Sequence, residues 1–360
     1  MTTRTLGSTG PEVFPIGLGC MGMSDLYGPA DETESIATIH AAMEAGMTLF
    51  DTGDYYGMGH NELLLRDALR GRSRGRAIVS VKFGALRDPG GAWLGFDARP
   101  AAVKTSLAHT LRRLGTDYVD IYRPGRLDPS VPIEETVGAI AEMIKSGYVR
   151  HVGLSEVGAE TLRRAHKLHP ISDLQIEYSL ISRGIEAEIL PAARELGVGI
   201  TAYGVLSRGL LSGTWSKDRA TGRGDIRGFL PRFGAANVSQ NLTVVEALRR
   251  VAERKGATVA QLAIGWVLAR GNDIVPLVGS RRRAQLSESL RALEVSLTPE
   301  DMAAVEAAVP ASAIAGTRYG AEQMRMLDSE GGAAMSRELG RHRSVAFDST
   351  AESLGVVLFK

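Results

Sequence analysis

The chain has 360 residues, 44% of them hydrophobic, with a formal charge of +1 and one cysteine, Cys20. That length and apolar content allow one large core or two smaller ones, and a near-zero charge supplies no field for nucleic acid or an anionic membrane surface. A single cysteine excludes an intrachain disulfide; with no apolar leader between Met1 and Pro15 and no run of membrane-span length, the expected location is the cytoplasm.

The opening "RTLGSTGPEV", with turn signals at Gly7 and Gly10–Pro11, predicts a β-hairpin. Beyond it, short apolar β-branched runs alternate with stretches of helical period. The predicted strands are Ile16–Gly19, Thr48–Asp51, Ile78–Phe83, Tyr118–Tyr122, Val149–Gly153, Leu174–Glu177, Val198–Tyr203 and Ile274–Val278. Helical periodicity runs through Ile36, Ile39 and Met43 to Gly46, through Val103, Leu107, Leu111 and Leu114 to Gly115, and through Val137, Ile140 and Ile144 to Gly147. Glycine just past the last apolar position is a helix stop. Eight strands each followed by a helix match an α/β fold of the (β/α)8 TIM-barrel type, with the N-terminal hairpin and additional helices, better than an open doubly wound sheet.

"GLGCMG" at residues 17 to 22 has the G-x-G-x-x-G spacing of dinucleotide-binding Rossmann loops. Such a loop must open directly into a helix, with an acidic residue about 20 positions further on. Here Ser24, Asp25, Leu26, Tyr27, Gly28 and Pro29 follow and read as loop, which sets the Rossmann reading aside. The glycine-rich stretch from Gly204 to Asn237, with few apolar periodic positions, is too long for an ordinary connection; loops of that length are functional lids or disordered.

In a barrel of this type chemistry gathers at the C-terminal ends of the strands. Asp51 closes "TLFD", Tyr56 follows in "DTGDYYG", Lys82 sits near the end of "IVSVKF", Ser155 closes "HVGLS", Gln175 lies in "DLQIEYS" and Tyr203 ends "GITAY". A lysine in an apolar strand is costly unless paired, and Asp51 on the neighbouring strand is a partner. That alone describes a structural ion pair. A phenol beside the ammonium adds chemistry, because a nearby positive charge lowers the cost of phenolate and makes Tyr56 a proton donor.

The motifs "DTGDYYG", "VGLSE", "QIEYSL", "AYGVLSRGLLSG" and "PLVGSRRR", in that order over roughly residues 4 to 330, resemble those of the aldo-keto reductases. The resemblance implies a barrel that binds NADPH in an extended pose, with Tyr56 as general acid, Lys82 and Asp51 tuning it, and hydride passing from the nicotinamide to a small carbonyl substrate. It further implies Gly19, Cys20 and Met21 beside the nicotinamide ribose, Tyr203 stacked on the ring, and Ser155 and Gln175 on its carboxamide. Leu206, Arg208 and Gly209 would meet the pyrophosphate, Ser280 and Arg281 the 2′-phosphate, and Gln285 and Glu288 the adenine side. No metal is implied.

The sequence departs from the family pattern in three places. Glu156 stands where many members have Asn, and Ser289 replaces a common Asn. In "YVDIYRPGRLDP", Gly125 takes the position of the usual catalytic histidine, leaving a space for water or for part of the substrate. The flanking Arg123 and Arg126 are expected to be solvated, and His151 to be a packed strand residue. Tyr27, Trp93 and Phe96 are candidates to line an apolar pocket. The missing imidazole also admits two alternatives: a cofactor-holding partner subunit with weak turnover, or a reductase whose specialised substrate replaces the imidazole with its own polar group. Residues 1–330 form the expected barrel domain, and 331–360 a tail of open role.

Overall fold

Short strands that are apolar on both faces need helices over them, and the chain builds that unit repeatedly. The computed structural model describes residues 3–331 other than 25, 73 and 223. The strands of the main sheet are β1 (Gly17–Gly19), β2 (Leu49–Gly53), β3 (Ile78–Phe83), β4 (Val119–Pro124), β5 (Val149–Ser155), β6 (Ile171–Glu177), β7 (Gly199–Tyr203) and β8 (Ile274–Gly279). Each pairs in parallel with its neighbours in sequence and β8 returns to β1, so the sheet closes into a barrel. The fold is the (β/α)8 barrel.

The helices over this barrel are α1 (Glu32–Glu44), α2 (His60–Leu69), α3 (Pro100–Leu114), α4 (Ile133–Lys145), α5 (Ala159–Leu168) and α6 (Ile189–Leu196). Two helices, α7 (Ala235–Arg254) and α8 (Val259–Ala269), separate β7 from β8, and α9 (Arg283–Leu290) and α10 (Pro299–Ala308) follow. The periodicity works as physics requires: Val103, Leu107 and Leu114 are buried on one face of α3. Gly115 then turns left-handed at φ 63° and donates its N–H to the carbonyl of Leu111. In α1 and α4 the last helical residue comes one step earlier than the periodicity suggests, with Gly46 (φ 92°) and Gly147 (φ 85°) just beyond the caps.

At the N-terminal end Arg4–Thr5 pairs antiparallel with Glu12–Val13, and Leu6 and Val13 plug the barrel bottom against Leu49, Ile121, Val275 and Leu277. The glycines of "GLGCMG" are β1 followed by a 3-10 turn at Met21–Met23, and the next helix begins only at Glu32. No phosphate-binding helix N-terminus follows them. Residues up to 330 are knitted into the barrel: Asp328 accepts a hydrogen bond from the Gly158 N–H at 2.7 Å. The expectation for the tail falls, beyond residue 331, outside the described residues.

Candidate functional site

β2 and β3 lie side by side with Asp51 opposite Ser80 and Gly53 opposite Lys82, which brings Asp51 and Lys82 to the same face of the barrel interior. Both are buried and form an ion pair. Gln175, reaching across from β6, closes the group: its carbonyl accepts from Lys82 Nζ at 2.8 Å and its amide donates to Asp51 Oδ2 at 2.7 Å. The buried ammonium is thereby met by two oxygen acceptors, as a buried charge requires. Burial lowers the Lys82 pKa from its ordinary value, against the pull of Asp51.

A second buried pair lies beside the first. Arg123 is fully buried and donates to both carboxylate oxygens of Asp173, at 2.8 and 3.2 Å. Ser80 links the pairs, accepting from Arg123 at 2.9 Å and donating to Asp51 at 2.9 Å. The expectation of a solvated Arg123 is therefore corrected: the strand alternation of β4 turns it into the barrel, in register with Lys82.

Tyr56 opens the 3-10 turn after β2, a turn made possible by left-handed backbone at Gly57, Met58 and Gly59. Its ring lies 5.2 Å from Lys82 Nζ and is 94% buried, since only 6% remains exposed. The expectation that the ammonium eases ionisation does not describe the net balance. Burial pushes the Tyr56 phenol well above its ordinary value, reinforced by Tyr55 and Asp51, and the cation that acts most against this is Arg126.

The space expected at Gly125 is taken. A Cβ on Gly125 would lie 3.2 Å from both Cε1 and the hydroxyl of Tyr55, which packs edge-on to Tyr56 at 4.8 Å between centroids. Trp93 covers Tyr55 from outside at 5.8 Å, carried by a small antiparallel pair, Ala85–Arg87 with Trp93–Phe96. Tyr55 was not singled out from the sequence, although it is the first tyrosine of "DYYG". Trp93 is half exposed, Phe96 half-buried, and His151 a half-buried residue of β5.

The residues expected around a dinucleotide lie at the ends of β5 to β8, in the segments after β7 and β8, and at the end of β1, which pairs with β8. The Ser155 and Ser280 hydroxyls are buried without any hydrogen-bond partner, an arrangement that fits an absent polar ligand. Gly19, Cys20 and Met21 lie at the end of β1, where the Cys20 N–H donates to the Asp51 carbonyl at 2.9 Å. Burial pushes the Cys20 thiol far above its ordinary range, so it is no nucleophile. Tyr203 ends β7 with its hydroxyl 3.0 Å from that of Tyr319. Leu206 and Gly209 flank Ser207 and Arg208, two non-glycine residues in left-handed backbone; such strain gathers at functional sites. Arg208 pairs with buried Glu177 at 2.9 Å. Arg281 donates to the carbonyls of Tyr27, Gly28 and Pro29 at 3.1–3.3 Å, and its N–H to Gln285 at 3.1 Å. Glu288 is half-buried and Ser289 buried on α9.

Glu156 has a partner the sequence did not reveal. Its backbone is left-handed (φ 55°), a conformation asparagine tolerates better than glutamate. Arg318, from the chain after α10, compensates with two hydrogen bonds of 2.5 and 2.8 Å, and Ser329 adds one at 2.6 Å. Burial alone would raise the Glu156 carboxyl; these contacts outweigh it and hold the pKa at about 2.

A separate cleft of about 920 Å³ opens at the opposite end of the barrel, near the hairpin. Its Arg194 and Asp273 are already paired at 2.7 Å, and it lies away from the groups described above. Among the described residues, no group of histidine, cysteine and acidic side chains is placed to hold a metal, and no helix is long and apolar enough to cross a membrane.

The model of the aldo/keto reductase family matches residues 15–310. The chain belongs to that family. It is 40% identical over 315 residues to a probable aldo-keto reductase 1 of Glycine max, covering 87% of this chain and 90% of that one. Among solved structures, the glycerol dehydrogenase AKR11B4 from Gluconobacter oxydans is 26% identical, with a TM-score of 0.77 over 92% of this chain and 98% of its own. The holo form of aldo-keto reductase AKR11C1 from Bacillus halodurans is 28% identical, with a TM-score of 0.71 over 86% and 97%. As an aldo/keto reductase the chain is an oxidoreductase of a family that uses nicotinamide cofactors, and a small-molecule carbonyl substrate fits it.

Proposed function

We propose that this aldo/keto reductase is a cytoplasmic NADPH-dependent enzyme that reduces an aldehyde or ketone to an alcohol, with Tyr56 as general acid. The observation that carries the reading is the closed Lys82–Asp51–Gln175 group beneath the Tyr56 ring at the C-terminal mouth of the barrel. A buried phenol with a raised pKa is an acid that keeps its proton across the physiological range and surrenders it only when a strong base forms beside it. An alkoxide developing on a carbonyl oxygen is such a base. Lys82 and Arg126 then stabilise the resulting phenolate, and Asp51 and Gln175 hold Lys82 in place.

Bound NADPH supplies the hydride. Ser155 and Ser280 have the unmatched hydroxyls to hold it, and the family resemblance adds Gly19, Cys20, Met21, Gln175, Tyr203, Leu206, Arg208, Gly209, Arg281, Gln285 and Glu288. Gln175 is engaged with Lys82 and Asp51, so its part in cofactor binding is shared with a part in fixing the ion pair. We take residues 1–330 as the functional unit. The test is steady oxidation of NADPH with a panel of aliphatic and aromatic aldehydes. Turnover supports a reductase; tight NADPH binding without turnover would instead make the protein a cofactor-holding partner.

A further inference from the structure

Most charges around the mouth pair off; among the described residues Arg281, held by the carbonyls at 27–29, and Arg126 do not. Lys82 meets Asp51, Arg123 meets Asp173, Arg208 and Arg232 share Glu177, and Arg318 meets Glu156. Arg126, by contrast, makes no ion pair among the described residues. Its contacts are neutral: it donates to the carbonyl of Gly125 at 2.7 Å and to the Tyr319 hydroxyl at 3.3 Å, with the Tyr319 ring 6.0 Å away. A guanidinium carries five N–H donors, and these contacts use two.

Position says what the remaining donors face. Gly125 abuts Tyr55, Tyr55 abuts Tyr56, and Tyr319 reaches the hydroxyl of Tyr203 at 3.0 Å, so Arg126 stands within one ring of aromatic side chains around the mouth. It is half-buried, close enough for its charge to act on Tyr55, Tyr56 and Lys82. Glu156, already held by Arg318, acts on Arg126 without touching it, and a bound anion would add the direct contact that Lys82, Arg123, Arg208 and Arg318 already have.

We propose that Arg126 anchors a carboxylate on the substrate, making the physiological substrate an aldehyde or keto acid. The inference rests on the reductase reading above. It also explains how the site works with Gly125. Where an imidazole would orient the carbonyl, Tyr55 fills the volume, and an ionic anchor at one end of the substrate fixes the carbonyl at the other. The planar fork of arginine suits a carboxylate, and the phosphate-binding candidates Arg208 and Arg281 belong to the dinucleotide side of the mouth.

The experiment begins with fluorescence titration of NADPH, then compares kcat/KM for 4-carboxybenzaldehyde and 4-methylbenzaldehyde, which share shape but not charge. The wild-type enzyme should prefer the carboxylate by about tenfold to hundredfold, mainly through KM, the range a charge-assisted contact supplies. Arg126→Gln should collapse that ratio toward one, and Arg126→Lys should keep part of it; any loss common to both aldehydes cancels. Calorimetry of 4-methylbenzoate binding to protein saturated with NADP⁺ gives a readout free of turnover, and the Gln variant should bind it at least tenfold more weakly. A wild-type ratio near one, a ratio unchanged in Arg126→Gln, or equal benzoate binding by both proteins overturns the anchor while leaving the reductase standing. Failure to bind NADPH overturns the reductase reading and the anchor with it.

Discussion

Burial outweighs neighbouring charge at Tyr56 and Asp54, and the balance is reversed at Glu156. Tyr56 is the clearest case: its phenol is raised, so reduction should show no alkaline loss from this group below the ordinary tyrosine range, a limb that a pH profile of kcat/KM would reveal. Asp54, two residues before it, is pushed up to about 7 by burial, with Glu62 reinforcing the shift. Between its ordinary value of 3.8 and about 7 the unfolded chain releases a proton that the native state retains. Stability should therefore fall as pH rises through that window, by up to about 1.4 kcal/mol per pH unit, and level off above it. Asp54→Asn should flatten this slope in urea denaturation at pH 5, 6 and 8; equal slopes in both proteins would refute it. Gly125 and Tyr55 are linked in the same way by volume. Gly125→His alone should lower activity, because the imidazole collides with Tyr55, whereas Tyr55→Ala with Gly125→His should recover more than either single change. Additive losses in kcat/KM would show that the two positions do not share one space.

Among the elements, the strands were largely legible and their polar members were not. β3 matches its predicted bounds of Ile78–Phe83 because nothing polar interrupts its start. β6 begins at Ile171, three residues before the apolar run suggests, since Ser172 and Asp173 read as loop while being buried, Asp173 as the partner of Arg123. Arg123 was misjudged for the same reason: a pairwise ion contact between β4 and β6 has no local signature. The segment after α10 was equally opaque, yet Arg318 carries the charge that balances Glu156 inside the mouth. Arg318→Met would strand a buried carboxylate and should destabilise the fold by about 3–5 kcal/mol, and Glu156→Gln in the same chain should restore part of the loss. Guanidinium denaturation measures both; an Arg318→Met protein as stable as wild type would show that the pair contributes nothing net.

For the whole molecule, the barrel was legible because eight βα repeats and the ordered motifs agree, and consistency across levels specifies a fold. Closure of the mouth was not legible, because it joins residues as distant as Tyr203 and Tyr319 through contacts that follow no periodicity. Cofactor choice also belongs to this scale, as β8 and the start of α9 bring Arg281 against the loop at residues 27–29. Arg281→Ala should weaken NADPH by about one to two decades in affinity and spare NADH, which fluorescence titration with both nucleotides would show. Delivery of the proton by Tyr56 in a carbonyl reduction is tested by single-turnover NADPH oxidation with 4-nitrobenzaldehyde in wild type and Tyr56→Phe. The variant should bind NADPH with wild-type affinity and transfer hydride slower by roughly 10²–10⁴; a Tyr56→Phe enzyme that binds NADPH and turns over at the wild-type rate would show that Tyr56 is not the acid.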